Sequence, residues 1–194
     1  MKALILMGSP HKNGDTAVLV EEFMKNFKGD SKIIYLYSHL QEKGIKPCID
    51  CGYCKKEKGC IIPDDFKELL ADDYDVLVIA SPIYMSNLTP PLWSVISRFN
   101  YVFNNKQNLS STITFKEKIG VVLLAAGGSS CKMLMQNTND YLPLQGCKYI
   151  FGKINAKFDE HNHYILSNNT EEIHTEDNIV VREKVKILAN KLSN

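Results

Sequence analysis

The chain has 194 residues, of which 44% are hydrophobic and 23% are charged, and its net charge is +1. This length suits one domain with its own hydrophobic core. The balanced charge excludes the strong positive field that draws a protein to DNA or to an acidic membrane. No stretch approaches the roughly 20 apolar residues of a membrane span, and MKALILMGSP is too short for a signal-peptide core. We therefore expect one cytoplasmic domain, residues 1–194, that binds neither nucleic acid nor membranes.

Apolar runs and helical spacings alternate along the first half of the chain. The continuous apolar run KALILM at 2–7 predicts a strand buried on both faces, and residues 16–27 carry apolar side chains at helical spacing. Residues 32–38 predict a second strand, and residues 64–73 predict a helix. Residues 75–85, DVLVIASPIYM, form the strongest strand pattern in the chain.

The second half begins with the same alternation. Residues 90–103 open with two prolines and predict a helix, because proline suits the first helical turn. Residues 118–130, KIGVVLLAAGGSS, predict another buried strand, and residues 131–142 predict a helix. The segment KYIFGKIN, residues 148–155, predicts the fifth strand.

The end of the chain is predicted to be irregular over the polar residues 156–175 and helical over residues 177–193. Strands that alternate with helices indicate a doubly wound α/β fold with a parallel sheet. Ligands bind to such sheets beyond the carboxyl ends of the strands, where the strand order reverses. We therefore expect the chemistry in GSPHKNGDT, SPIYMSN and AAGGSS, the loops after the first, third and fourth predicted strands.

The loop GSPHKNGDTA, residues 8–17, joins a predicted strand to a predicted helix and consists mainly of small and polar residues. Hydroxyls and backbone N–H groups at a helix N-terminus suit a phosphate. The loop has neither the dinucleotide pattern G-x-G-x-x-G nor the closing Lys-Ser/Thr of a P-loop. A tight turn with an ordinary helix cap is the alternative, and it explains one or two of these residues. The carboxylate of Asp15 would repel a phosphate unless it pointed away.

Four of the six cysteines lie in the run CIDCGYCKKEKGC. In a cytoplasmic protein, clustered cysteines bind metal or act in redox chemistry more often than they form disulfides. A structural zinc site usually takes cysteine pairs that are far apart in sequence, whereas a run that begins C-x2-C-x2-C is typical of [4Fe–4S] ligation. A loop of reduced thiols is the third alternative. Cys131 and Cys147 are predicted to be ordinary buried residues. The candidate metal ligands are Cys48, Cys51, Cys54 and Cys60.

Three motifs, in sequence order, resemble those of the NAD(P)H-dependent FMN reductases within the flavodoxin-like superfamily: LMGSPHKNGDTA, DVLVIASPIYMSNLTPPLWSVISRF and AAGGSS. The resemblance runs from residue 2 to about residue 130. It implies a flavodoxin-like three-layer α/β sandwich with a five-stranded parallel sheet in the order 2-1-3-4-5, and a cysteine-rich insertion at 46–63. It also implies that three loops bind FMN. The residues it assigns to FMN are Ser9, His11, Asn13, Gly14, Asp15, Thr16, Pro82, Ile83, Tyr84, Met85, Ser86, Gly127 and Gly128.

Within this resemblance, the first loop would hold the FMN phosphate, and residues 82–86 would line the isoalloxazine ring. The chain departs from the family pattern at three places. His11 stands where the family usually has arginine, Asp15 replaces the usual asparagine, and Ser97-Arg98 replaces Asp-Arg. The cysteine run resembles that of the iron–sulfur flavoproteins, a branch of the same family.

The resemblance implies an enzyme, an FMN-dependent oxidoreductase that moves electrons from NAD(P)H or a ferredoxin-like donor through bound FMN to an acceptor. One alternative is an electron-transfer iron–sulfur flavoprotein with FMN and a [4Fe–4S] cluster and no small-molecule substrate of its own. The other is a non-enzymatic zinc or thiol sensor. A homodimer or homotetramer is expected from the family. No catalytic acid or base is assigned, because the cofactor carries out hydride transfer and the protein positions it.

Overall fold

The computed structural model describes residues 1–37, 39–40, 44–57, 59–102, 114–128 and 141–193. The strands in these ranges are β1 (Lys2–Met7), β2 (Asp30–Tyr35), β3 (Val76–Pro82), β4 (Lys118–Ala126), β5 (Ala156–Lys157) and β6 (Tyr164–Asn168). They form one sheet in which β2, β1, β3 and β4 lie side by side in that order. Every pairing between them is parallel. The predicted order 2-1-3-4-5 is confirmed.

The helices lie on both faces of the sheet. They are α1 (Asp15–Asn26), α2 (Phe66–Leu70), α3 (Pro90–Arg98), α4 (Leu142–Lys153) and α5 (Ile179–Leu192). Side chains alternate along a strand, so Ala3, Ile5 and Met7 join one hydrophobic core with α1 and α5, whereas Leu4 and Leu6 join the other with α2, α3 and α4. Both faces are therefore buried, which explains why the central strands are continuously apolar. None of the described helices has the length and apolar character needed to span a bilayer.

Two predictions for the last part of the chain are wrong. KYIFGKIN, residues 148–155, is not a strand, because all but its last two residues belong to α4. The buried side chains here follow the i, i+3, i+4, i+7 spacing of a helix. They are Cys147, just before the segment, and Ile150, Phe151 and Ile154 within it. Residues 156–175 are not wholly irregular, because they contain β5 and β6. β6 was missed because its sequence YILSN is short and only half buried.

The edge of the sheet beside β4 is shared by two short strands. β5 pairs with Lys118 and Ile119 at the start of β4, and β6 pairs with residues 122–126 at its end. The fifth position predicted for the sheet is therefore divided in two. The helix predicted over residues 131–142 lies outside the described residues, apart from its last two positions.

A buried lysine holds the amino-terminal edge of the sheet. The side chain of Lys118 is fully buried and forms an ion pair with Asp72, and its Nζ also donates to the carbonyl of Lys116 at 2.9 Å. Burial works to raise the pKa of Asp72, but the hydrogen bonds and positive charges of Lys116 and Lys118 outweigh it, so the pKa is lowered. A buried ammonium group needs such partners because it loses its hydration.

We expect Lys118→Met to lower the free energy of unfolding by about 2 kcal/mol at pH 7, less than for a fully buried pair because Asp72 is partly exposed. Because folding lowers the pKa of Asp72, its contribution is complete above the unfolded value of about 4 and is lost as pH falls through the folded value. Urea unfolding at pH 7 and pH 3 should therefore show the gap between wild type and variant closing at acid pH. Lys157→Met, which removes an exposed ion pair with Glu117, is the matched control and should change stability little at either pH.

Candidate functional site

Three loops meet at the carboxyl edge of the sheet, because β1, β3 and β4 are neighbours and end together. The backbone N–H of Gly8 donates to Ala80 at 2.7 Å, and that of Ile83 donates to Ala125 at 2.8 Å. The buried hydroxyl of Thr89 donates to the carbonyl of Gly8 at 2.7 Å. Sequence reasoning missed Thr89, although its place before two prolines marks the start of α3. These bonds bring together the loops that the sequence singled out.

The loop after β1 presents hydrogen-bond donors at the start of α1. Gly14 is the N-cap residue, and no side chain among the described residues caps the helix there. The first N–H groups of a helix have no partner within it, so they remain available to an anion. The buried Ser9 accepts a hydrogen bond from the N–H of His11 at 3.1 Å, which leaves its own hydroxyl proton for another acceptor. Thr16 is also buried.

The carboxylate of Asp15 is held by the loop between β6 and α5. Its Oδ1 accepts a hydrogen bond from the backbone N–H of Thr175 at 2.5 Å, and its Oδ2 lies 3.5 Å from Nδ1 of His174. Asp15 therefore ties two distant segments together and does not cap its own helix. Because the carboxylate of Asp15 is bound to another loop and does not cap α1, the start of α1 stays open to an anion.

A groove of about 400 Å³ lies on the outer side of the start of α1. Asn13 and Gly14 contribute to its wall, but so do the carboxylates of Asp15, Glu21 and Glu176. Three carboxylates oppose the binding of a phosphate. Ser9 is not among the residues that line this groove, and its neighbour His11 is exposed.

The loop after β3 turns sharply at two residues in the left-handed region. Tyr84 and Asn87 exchange backbone hydrogen bonds of 3.0 and 2.9 Å, and Met85 and Ser86 between them have φ angles of 48° and 60°. Positive φ at both central positions is the pattern of a type I′ turn, which usually takes asparagine or glycine. The hairpin bonds leave the N–H groups of Met85 and Ser86 unused by the turn itself.

The side chains of this turn are unusually open to solvent. Met85 is 98% exposed and Tyr84 is 42% exposed, while Pro82 and Ile83 behind them are half buried. Tyr84 is therefore not the ordinary buried aromatic that a simple strand end would have. Exposed apolar side chains on a strained turn at the carboxyl edge of a sheet are typical of a surface that another molecule covers.

The loop after β4 begins with Gly127 and Gly128, both half buried. A Cβ atom on Gly127 would lie 2.8 Å from Oε1 of Glu171, so a larger residue would push the carboxylate away. The N–H of Thr170 donates to the carbonyl of Ala126 at 3.0 Å, which brings the loop after β6 beside this one. Residues 129 and 130 of the AAGGSS motif lie outside the described residues.

Tyr37 adds a side chain that the sequence analysis did not assign to the site. It follows β2, and its hydroxyl shares a hydrogen bond with Thr89 and lies near Tyr84. Burial raises the pKa of Tyr37, the neighbouring Tyr84 adds to this, and the hydrogen bond with Thr89 opposes it. It was missed because the predicted strand 32–38 included it.

The four candidate metal ligands line one cavity. Cys48, Cys51, Cys54 and Cys60 surround it together with Arg98 and Tyr101. Left-handed conformations at Asp50, Gly52 and Gly59 curl the loop so that distant positions of the run face each other. The cavity measures about 20 Å³, which is room for one water molecule, so a larger group would have to open the loop outward. Cys51 is already exposed.

Consecutive residues of α3 hold the two ends of the cysteine run. The N–H of Cys48 donates to Oγ of Ser97 at 3.0 Å, and Nη2 of Arg98 donates to Sγ of Cys60 at 3.2 Å. Ser97 stands where the family pattern has aspartate, and here its hydroxyl accepts from the first cysteine of the run. The departure at this position therefore belongs to the anchoring of the cysteine loop.

A buried ion pair closes the base of the cysteine loop. Nη1 of Arg98 lies 2.6 Å from Oδ2 of Asp64, and each side chain is only 1% exposed. Asp64 also accepts hydrogen bonds from the N–H groups of Lys46 and Phe66, which stand before and after the run. Nη1 of Arg98 donates in addition to the carbonyl of Lys46 at 3.0 Å. Sequence reasoning assigned Asp64 only to the start of a helix.

The donors around this cavity and their spacing suit a sulfur-bound cluster, which the loop would have to open to admit. Among the described residues, no three His, Cys, Asp or Glu side chains lie close enough to bind one ion. Zinc holds its sulfur ligands at about 2.3 Å, which brings them close together, whereas the ligands of a cluster are separated by the cluster's own atoms. The buried Nε–H of Arg98 has no hydrogen-bond partner in the described part of the chain. A guanidinium group with an unused donor beside four thiols suits a negatively charged cluster with sulfur acceptors.

Comparison with known sequences finds relatives of one kind. The family model described as NADPH-dependent FMN reductase matches residues 1–158. An iron-sulfur flavoprotein of Methanocaldococcus jannaschii is 33% identical over 100 residues, which are 50% of this chain and 51% of that protein. An iron-sulfur flavoprotein of Methanosarcina thermophila is 24% identical over 155 residues, 75% of each protein. The match to the first of these spans about half the length of that relative.

Solved structures with low sequence identity share the fold. An NAD(P)H:quinone oxidoreductase from Methanothermobacter marburgensis has a TM-score of 0.71 at 14% identity, with 100% of this chain and 96% of the other covered. An FMN-dependent NADH-azoreductase from Bacillus anthracis, solved with FMN, has a TM-score of 0.64 at 16% identity and covers 100% and 99%. These likenesses confirm the flavodoxin-like α/β architecture.

The tie between Asp15 and Thr175 can be tested by folding measurements. We expect Asp15→Ala to lower the free energy of unfolding by about 1–2 kcal/mol, because the N–H of Thr175 loses a charged acceptor. Asp15→Asn keeps an acceptor oxygen and is expected to lose less. Hydrogen exchange at the amide of Thr175 should accelerate in Asp15→Ala, and unchanged exchange there would contradict the tie.

Proposed function

Because the chain belongs to the NADPH-dependent FMN reductase family, we propose that it is an FMN-dependent oxidoreductase that takes electrons from NAD(P)H. The observation that carries this proposal is the N-terminus of α1, which no described side chain caps, beside the loops after β3 and β4. The N-terminus of α1 can bind a phosphate, and the loops after β3 and β4 offer apolar walls and backbone donors for a planar ring. Bound FMN would accept a hydride and pass electrons on to an acceptor.

The phosphate of FMN would bind the loop after β1. Backbone N–H groups of Gly14 and Thr16 and the hydroxyl of Ser9 supply donors, and the positive end of the α1 dipole favours the negative charge. His11 and Asn13 border the position from the exposed side. The carboxylate of Asp15 accepts from the N–H of Thr175 and does not cap α1, so the first N–H groups of the helix stay available.

The isoalloxazine ring would lie against the turn after β3. Pro82, Ile83 and Tyr84 supply an apolar wall, and the N–H groups of Met85 and Ser86 would donate to the edge of the ring that gains negative charge on reduction. Gly127 and Gly128, both half buried, would border the other edge of the ring from the loop after β4. The exposure of Tyr84 and Met85 leaves this side open to NAD(P)H and to an acceptor.

The cysteine cavity favours a second function, electron transfer by FMN together with a [4Fe–4S] cluster. Four thiols line one cavity beside the buried guanidinium group of Arg98, whose Nε–H has no partner among the described residues. The relatives from Methanocaldococcus and Methanosarcina carry the name iron-sulfur flavoprotein, which supports the same assignment. Cys48, Cys51, Cys54 and Cys60 would be the ligands, and the donor would then be a ferredoxin-like protein.

Ser9→Ala tests the phosphate position. We expect about tenfold weaker binding of FMN, because a hydrogen bond to a charged group is worth about 1.5 kcal/mol or more. Riboflavin, which lacks the phosphate, should bind wild type and variant equally when both are titrated by flavin fluorescence. Ser94→Ala, which removes a hydroxyl that bonds within α3, is the matched control. Equal losses for FMN and riboflavin would place the phosphate elsewhere.

Anaerobic purification with assays for FMN, iron and acid-labile sulfide tests the cluster. We expect FMN with iron and sulfide in wild type, and loss of most iron with retention of FMN in Cys60→Ala. Cys147→Ala is the matched control, because Cys147 is fully buried and burial raises the pKa of its thiol. It should keep its iron. Wild type with FMN but without iron and sulfide would contradict the proposed cluster and leave the proposed FMN-dependent oxidoreductase standing.

A further inference from the structure

We propose that Arg98 positions Cys60 and that its buried positive charge sets how readily a cluster in the cysteine cavity accepts an electron. The inference rests on the proposed cluster. It assigns to a residue outside the cysteine run a role in the electron affinity of that site. The step concerned is a one-electron reduction by the reduced flavin or an external reductant, in which no bond forms or breaks.

The charge of Arg98 lies where solvent cannot screen it. Its side chain is 1% exposed, and its Cζ lies 4.7 Å from the centre of the Phe66 ring. Charges act more strongly in such surroundings than at the surface, because the local dielectric is low. Lys55, in the cysteine run itself, has a side chain that is 52% exposed and is therefore screened.

The donors of Arg98 connect it to the cavity. Nη2 donates to Sγ of Cys60 at 3.2 Å, and the buried Nε–H has no partner in the described residues. Hydrogen bonds to sulfur and the net charge around a cluster are two of the factors that set its reduction potential. Both favour the reduced form, because reduction adds negative charge that Arg98 stabilises.

Asp64 opposes this effect. It forms the ion pair with Arg98 and is equally buried, so it cancels part of the positive charge that the cavity experiences. Removing the charge of Asp64 alone should therefore make the cluster easier to reduce. Removing both charges together should take away the hydrogen bond to Cys60 and make the cluster harder to reduce. A purely structural role for the pair predicts no such opposition.

The experiment compares wild type, D64N and R98M/D64N after anaerobic purification with their cluster. Midpoint potentials are measured by dye-mediated titration, and FMN, iron and sulfide contents are determined for each protein. We expect the equilibrium constant for reduction to rise about tenfold in D64N and to fall about tenfold in R98M/D64N, which is about 59 mV in each direction for one electron. The double variant avoids leaving a buried carboxylate without its partner.

Two further variants complete the test. K55M removes an exposed positive charge from the cysteine run and should change the constant less than twofold. R98K keeps a positive charge at this position, so its equilibrium constant for reduction should stay closer to wild type than that of R98M/D64N. If D64N does not fold, the comparison of R98K with R98M/D64N tests the role of the charge. Iron release to a chelator should be faster in R98M/D64N than in K55M, because Cys60 loses its donor.

The outcomes separate the inference from the function beneath it. Wild type without iron and sulfide would overturn the proposed cluster and the inference with it. A cluster whose potential moves no more in R98M/D64N than in K55M would overturn the role of Arg98 and leave the cluster standing. A potential that shifts as far in R98K as in R98M/D64N would likewise overturn the role of the Arg98 charge.

Discussion

The buried ion pair between Arg98 and Asp64 is the interaction on which the second half of the site depends. A cysteine-rich loop has little apolar surface of its own, so it cannot be held by a hydrophobic core. The pair supplies the missing constraint, because Asp64 bonds to the backbone of Lys46 and Phe66 on either side of the loop, and Arg98 reaches Cys60. Both charges are desolvated, which makes the arrangement costly to break from one side.

The other half of the site depends on the order of the strands. Because β1, β3 and β4 are adjacent and parallel, loops that are far apart in sequence end at one edge, where Thr89 joins two of them through Gly8. The loop after β6 reaches the same edge through Asp15 and Thr175. The short β6 therefore does more than complete the sheet, since the loop after it supplies a backbone donor to the carboxylate of Asp15.

Much of this architecture could be predicted from the sequence. Strands such as KALILM and DVLVIASP carry apolar side chains on both faces, so both faces have to be buried. KYIFGKIN misled because aromatic and β-branched residues favour strands, while the helical spacing emerges only when Cys147 and Ile154 are considered with it. The contacts of Arg98 could not be predicted, because its partners lie 34 and 38 positions away and no local pattern joins them. Ser97 looked like a departure from a motif until its partner, Cys48, was located.

Helix α3 acts as a spacer with a fixed length. Thr89, at its start, is bonded to the loop proposed for the phosphate, and Ser97 and Arg98, at its end, hold the cysteine loop. With a rise of about 1.5 Å per residue, the nine steps between Thr89 and Arg98 separate the two anchor points by roughly 13 Å. That separation is set by backbone hydrogen bonds within one rigid element. Sequence change in either loop can therefore alter its own chemistry without altering the separation of the two anchor points.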